Sequence, residues 1–248
     1  LDPAFIAQKQ AAERALKNAV AQDPKYANAR DAWDRIAAAQ RVISENAPMH
    51  RLLESGRGFN CELFGIARTL LRAADERPKP DGERLSEFRE SGRASLELNL
   101  FSTKPIYDDY EQLCLADSLT FLAERLGARH PIVERVLVGK SPRQRAAELV
   151  KDTKVKDVAF RRKLYEGGKA AVDAARDPMI ELARAVDAEA RAVRQIIETQ
   201  EEIKRQAHAQ IAAARFAIQG TSTYPDATFT LRLAFGVVKG YDENGKHV

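Results

Sequence analysis

Four times in this sequence a residue with a short oxygen-bearing side chain is followed at once by proline: Asp2-Pro3, Asp23-Pro24, Ser141-Pro142 and Asp177-Pro178. The oxygen accepts a hydrogen bond from one of the orphan N–H groups of a helix start, and proline has no N–H to leave orphaned. Each pair opens a stretch of good helix formers, so the chain is punctuated as a series of helices. The 13 Gly and 10 Pro are few for 248 residues. A β-sandwich or barrel would need more turn chemistry than that.

Apolar spacing gives the helices approximate bounds: 3–22, 24–53, 60–76, 83–101 and 105–126, then shorter ones at 131–138, 142–150 and 155–166. Gly127 stands just past the fifth, where a left-handed residue ends a helix well. After Asp177-Pro178 the residues Val193, Ile196, Gln200, Ile203, Ala207, Ile211, Ala214 and Ile218 recur at spacings of three and four. They form the packing seam of one long helix.

The texture changes after Gly220. Phe229, Leu231, Leu233 and Phe235 recur with period two and share one face, as in a half-buried strand, and 236–241 reads as a second strand. Asn244-Gly245 is a strong hairpin-turn dipeptide, yet three residues follow it. The expectation is a mainly α fold: a multi-helix domain over 1–222 and a short strand or hairpin segment over 223–248. The unfinished hairpin and the Leu1 start lead to the further expectation that the natural chain is longer.

Net charge is +4, from 40 Lys and Arg against 36 Asp and Glu, with the two signs interspersed. Nucleic-acid binders concentrate their basic residues, because phosphate neutralisation supplies most of their affinity. The nearest patch, Arg161-Arg162-Lys163, reads as a solvated helix face. No run of 18 apolar residues is present, so no membrane span is expected. Cys61 and Cys114 read as small buried residues; two cysteines do not make a disulfide framework.

No catalytic constellation, metal site or cofactor site emerges. His50, His130, His208 and His247 are spread along the chain without metal-ligand spacing. Gly139-Lys140-Ser141 lacks the glycine of a phosphate loop, and Ser141 reads as a helix cap. Ser55-Gly56-Arg57-Gly58 lacks the strand–turn–helix setting of a nucleophile elbow. Asp108-Asp109 sits at a helix start, where the macrodipole favours carboxylates. The segment Glu54 to Phe64 is the exception. Two glycines hinge a turn into a helix, with Asn60 at or near the helix N-cap. Asn60 is either that cap or a side chain presented to a ligand.

The turn Arg57-Gly58-Phe59-Asn60, the stretch Asp177-Pro178-Met179-Ile180 and above all Tyr224-Pro225-Asp226-Ala227-Thr228-Phe229-Thr230-Leu231-Arg232 resemble the bacterial serine dipeptidyl-peptidases. That resemblance spans the chain and implies a chymotrypsin-like double β-barrel with an inserted helical domain, this chain being the helical domain and the first returning strands. It implies an aminopeptidase-type hydrolase that releases dipeptides from free peptide N-termini, in the periplasm or at the cell surface of a Gram-negative bacterium. The catalytic triad would lie on the barrels, outside this chain, leaving the chain alone inactive. Asn60 matches the family asparagine that helps hold the substrate's α-amino group. The implied partners are the peptide N-terminus and the barrel domain of the same polypeptide, with room for a homodimer of the full-length enzyme. No cofactor is implied. The competing reading is a free-standing helical interaction module.

Overall fold

The computed structural model describes residues 2–220, 242, 243 and 245–247. Among them the long helices are α1 (Pro3–Gln22), α2 (Ala32–Met49), α3 (Glu62–Glu76), α4 (Arg93–Leu100), α5 (Asp108–Leu126), α6 (Pro131–Leu137), α7 (Pro142–Asp152), α8 (Val158–Ala174) and α9 (Pro178–Gln219). Asp2 caps α1 through Ala4 N–H, and Ser141 with Gln144 closes a full capping box on α7. Asp177 accepts from Met179 and Ile180 at the start of α9, and also from Thr153 and Lys154. It is 2% exposed, so a cap written in the sequence also fastens the α7–α8 connection.

Several expected helices are shorter or broken. Residues 24–53 split into a 3₁₀ turn (Pro24–Ala29), α2 and a π turn (His50–Glu54). Pro48 lies inside the last turn of α2, and its missing N–H removes one rung, so the widened turn follows directly. Residues 81–92 carry three short 3₁₀ turns, and within the expected helix 83–101 only Arg93–Leu100 is α-helical. Helix α8 instead runs to Ala174, past a kink at Gly168 (φ 60°, ψ −149°). Gly127 ends α5 at φ 90°, ψ 143°, outside the left-handed helical well although still in glycine territory.

The chain packs as two units, Asp31–His208 and Leu1–Arg30 with Ala209–Val248. In the second, Leu16, Val20, Ala29 and Ala214 are buried. The main core belongs to the first. There α5 lies against α7 and against the Arg57–Phe59 turn, and α3 lies against α8. Leu63, Phe64, Ala67, Leu70 and Leu71 of α3 are buried, the face its spacing indicated. On α9, Val193, Ala207 and Ala214 are buried, but Ile196 and Ile218 are exposed, so the seam is interrupted.

Arg161 is not on a solvated face. It is 2% exposed, and its guanidinium donates to the carbonyls of Val155, Lys156, Leu100 and Ser102. A fan of five N–H donors matches a set of loop carbonyls that no helix ladder satisfies. Arg162 stacks 4.2 Å over Phe101.

The strands expected over 228–241 lie outside the described residues. Asp242–Glu243 and Lys246–His247 form a two-residue antiparallel ladder around Gly245, whose φ is 77°. No helix is long and apolar enough to cross a membrane among the described residues.

Candidate substrate-amine site

Gly56 turns the chain after the π turn, at φ 73°, ψ 16°. A side chain there would be strained, so glycine is required. Gly58 is tightly packed: a Cβ would meet Leu122 Cδ1 at 3.0 Å and the Leu52 carbonyl at 3.1 Å, so a side chain there would push its neighbours aside. The turn therefore presses directly on α5. Phe59 is buried and stacks on Phe64, with ring centroids 4.6 Å apart.

Asn60 follows with its backbone held and its side chain free. Its N–H donates to Ser118 Oγ at 3.1 Å, and that hydroxyl donates on to the Leu115 carbonyl at 3.0 Å. Asn60 is not the N-cap of α3. Cys61 is, its sulfur accepting from Phe64 N–H at 3.4 Å. The Leu63 N–H is taken by Glu111 Oε2 at 2.9 Å. The orphan donors that would have engaged Asn60 are thus satisfied by a thiol one residue later and by a carboxylate from α5. Among the described residues the Asn60 carboxamide makes no hydrogen bond, and the residue is exposed.

Two clefts meet at Asn60. One, of ≈ 620 Å³, is walled by Glu62, Ile66, Arg68, Tyr110, Glu111 and both cysteines. The other, of ≈ 550 Å³, is walled by Arg57, Asp117, Ser118, Thr120, Phe121 and Glu124. Glu62 is paired with Lys104 at 2.8 Å and Glu111 is committed to Leu63. Asp117 and Glu124 have no ion pair among the described residues. An amide oxygen beside uncommitted carboxylates is a donor-seeking surface, suited to a cation with several N–H groups.

An arginine pair ties down the segment that leads into this turn. Arg68 donates to the carbonyls of Leu53 and Glu54, at 3.1 and 2.8 Å, and lies over the Phe64 ring. Arg72 holds the Glu54 carboxylate and Asp187 of α9. Burial raises the Glu54 carboxyl, but Arg72, Arg68 and Arg194 outweigh it and hold the group below its ordinary range. Sequence reading passed over Glu111, Ser118, Arg68 and Arg72. Glu111 and Ser118 carried a signal, being polar residues on the apolar face of α5 shared with Leu115, Leu119 and Leu122.

Nucleophile chemistry is thin here. Both cysteines are free thiols, and burial pushes the Cys61 thiol up to about 12, so it stays protonated at neutral pH. Ser55 Oγ lies 3.4 Å from His50 Nδ1, but among the described residues no carboxylate orients that histidine. His130 caps α6 and His208 is exposed. No group of three or more metal-ligating side chains occurs among the described residues.

The family model described as Peptidase S46 matches residues 1–248. The chain belongs to the Peptidase S46 family. Membership implies a serine dipeptidyl-peptidase, a hydrolase of peptides. In this Peptidase S46 chain the Asn60 turn, singled out from glycine placement, is thus a polar, buttressed feature of a peptide-handling protein.

Proposed function

We propose that this chain is the helical cap of a serine dipeptidyl-peptidase, covering the active-site cleft and binding the substrate's free amine through Asn60. The observation that carries the reading is the division of labour at the start of α3. Cys61 and Glu111 satisfy the helix, Ser118 holds the Asn60 backbone, and the carboxamide is left without a partner among the described residues, in a residue that lines two open clefts. An exopeptidase must reward a terminal ammonium, and an amide oxygen does so by charge-assisted hydrogen bonding, with carboxylates such as Asp117 and Glu124 nearby.

The catalytic Ser-His-Asp triad belongs, on this reading, to a β-barrel domain outside the 248 residues. The enzyme acts in the periplasm or at the cell surface of a Gram-negative bacterium, and self-association of the full-length protein is compatible with the cap role. The test is cleavage of a dipeptidyl reporter with a free amine against its N-acetylated form. The enzyme carrying this cap cleaves the first and spares the second, and the 248-residue chain by itself cleaves neither. Equal cleavage of both forms would refute amine recognition.

A further inference from the structure

A third hollow adjoins the Asn60 clefts. It measures ≈ 460 Å³; Leu52, Phe121 and Leu126 supply its apolar walls, and Arg51, Arg57 and Arg125 surround them. Arg57 and Phe121 also line the ≈ 550 Å³ cleft beside Asn60, so the two spaces share a wall. The Arg125 guanidinium lies 5.0 Å from the centre of the Phe121 ring.

The three arginines stand out by what they lack. Arg72, Arg191 and Arg194 each grip carboxylates. Arg51, Arg57 and Arg125 form no ion pair or hydrogen bond among the described residues. Three like charges around one hollow repel each other, and Asp117 and Glu124, which share the adjoining cleft with Arg57, form no ion pair with any of them. Each guanidinium presents a planar fork of donors that matches a carboxylate, and apolar walls strengthen such a contact by excluding water. A small inorganic anion would meet the charge but leave the half-buried Phe121 and Leu126 uncovered. A cationic or purely apolar ligand would gain nothing from the arginines.

We propose that this hollow binds a carboxylate carried on an apolar body within a peptide ligand. Peptides are the substrates that family membership implies, and the carboxylate has two sources: an acidic side chain or the peptide's own C-terminus. The proposal does not depend on Asn60, because the probes below have no free amine.

The experiment is calorimetric titration of the 248-residue chain with three blocked dipeptides. N-acetyl-Phe-Glu-amide offers a side-chain carboxylate, N-acetyl-Phe-Ala a terminal one, and N-acetyl-Phe-Gln-amide none. At least one charged probe should bind roughly tenfold or more tighter than the neutral one. Whichever charged probe binds tighter identifies the source. The affinity should fall as salt rises from about 0.05 to 0.5 M. Arg57→Gln and Arg125→Gln should each weaken it by roughly tenfold. Both residues are exposed, so the variants should fold, and the salt series on the unaltered chain needs no variant. Equal affinity for charged and neutral probes, no binding by any of them, salt-independent binding, or full affinity in the Arg57→Gln/Arg125→Gln double variant would each overturn the assignment.

Discussion

Arg72 donates to both carboxylate oxygens of Glu54, at 2.8 and 2.6 Å, while its Nε reaches Asp187 at 2.6 Å. Glu54 is the last residue of the π turn that leads into the Asn60 turn, and Asp187 is on α9. One buried guanidinium therefore joins α3, the turn and the longest helix. Arg191 continues the chain of charges from Asp187 to Glu76, and Arg194 from Glu54 to Glu87. Removing one partner of such a group strands the others without water. Arg72→Ala should cost about 3–5 kcal/mol, read from urea unfolding. Replacing the triad by Arg72→Met, Glu54→Gln and Asp187→Asn should cost less than that single change. A larger loss in the triple variant would mean that packing around these side chains, rather than stranded charge, sets their worth.

The same network makes stability depend on acid. Burial raises the Glu87 carboxyl, but Arg194, at 2.6 and 3.0 Å, overrides it and brings the group down to about 2 from an ordinary 4.5. Glu54 and Glu76 are also held low against burial, Glu76 by Lys79, Arg191 and the Leu85 N–H. A carboxyl depressed by folding contributes fully above its unfolded value and loses that contribution as pH falls through its folded value. Unfolding midpoints should therefore drop as pH is lowered from about 4.5 towards 2. Glu87 is partly exposed, so solvent screening keeps its own share small. Arg194→Gln should flatten the slope in that window; an unchanged slope would remove Arg194 as its cause.

Cys61 caps α3 through sulfur, a weak acceptor. Cys61→Ser, which supplies a better acceptor in the same place, should leave stability unchanged or slightly higher. Cys61→Ala should lose about 1 kcal/mol. Because burial holds the thiol near 12, a maleimide reagent at pH 7.5 should leave Cys61 unmodified in the folded chain. Rapid modification at that position would show that the cap opens.

Gly58→Ala should destabilise by about 1–3 kcal/mol, the range for forcing a methyl into a packed interface. The added Cβ would meet Leu122 and the Leu52 carbonyl. Leu122→Ala in the same chain opens space and should recover part of the loss, which thermal midpoints of the single and double variants measure.

The helices were largely legible because their ends are marked locally. Asp2, Ser141 and Asp177 cap where their side chains indicate, and α1, α7 and α9 begin there. The stretch 83–92 misled because its apolar residues keep helical spacing while Ser86 and Gly92 favour turns, and the backbone settled into 3₁₀ pieces. Arg161 misled because three neighbouring basic residues look solvated, whereas its partners are carbonyls as far away as Leu100. At the candidate site the glycines located the turn, but the identity of the cap did not follow from composition: serine, threonine and aspartate lead the preferences, and here cysteine holds the position. The Ser118 and Glu111 contacts join positions 58 and 48 residues apart, and no local pattern contains them.

The most direct test of the account is kcat/KM of the enzyme carrying Asn60→Ala, measured with a dipeptidyl substrate whose amine is free, alongside the thermal midpoint. A hydrogen bond to a charged group is worth about 1.5–3 kcal/mol, so the account predicts a loss on the order of ten- to a hundredfold. The midpoint should stay put, because Cys61 rather than Asn60 caps α3. A near-normal kcat/KM together with a lowered midpoint would contradict the account and return Asn60 to a purely structural role.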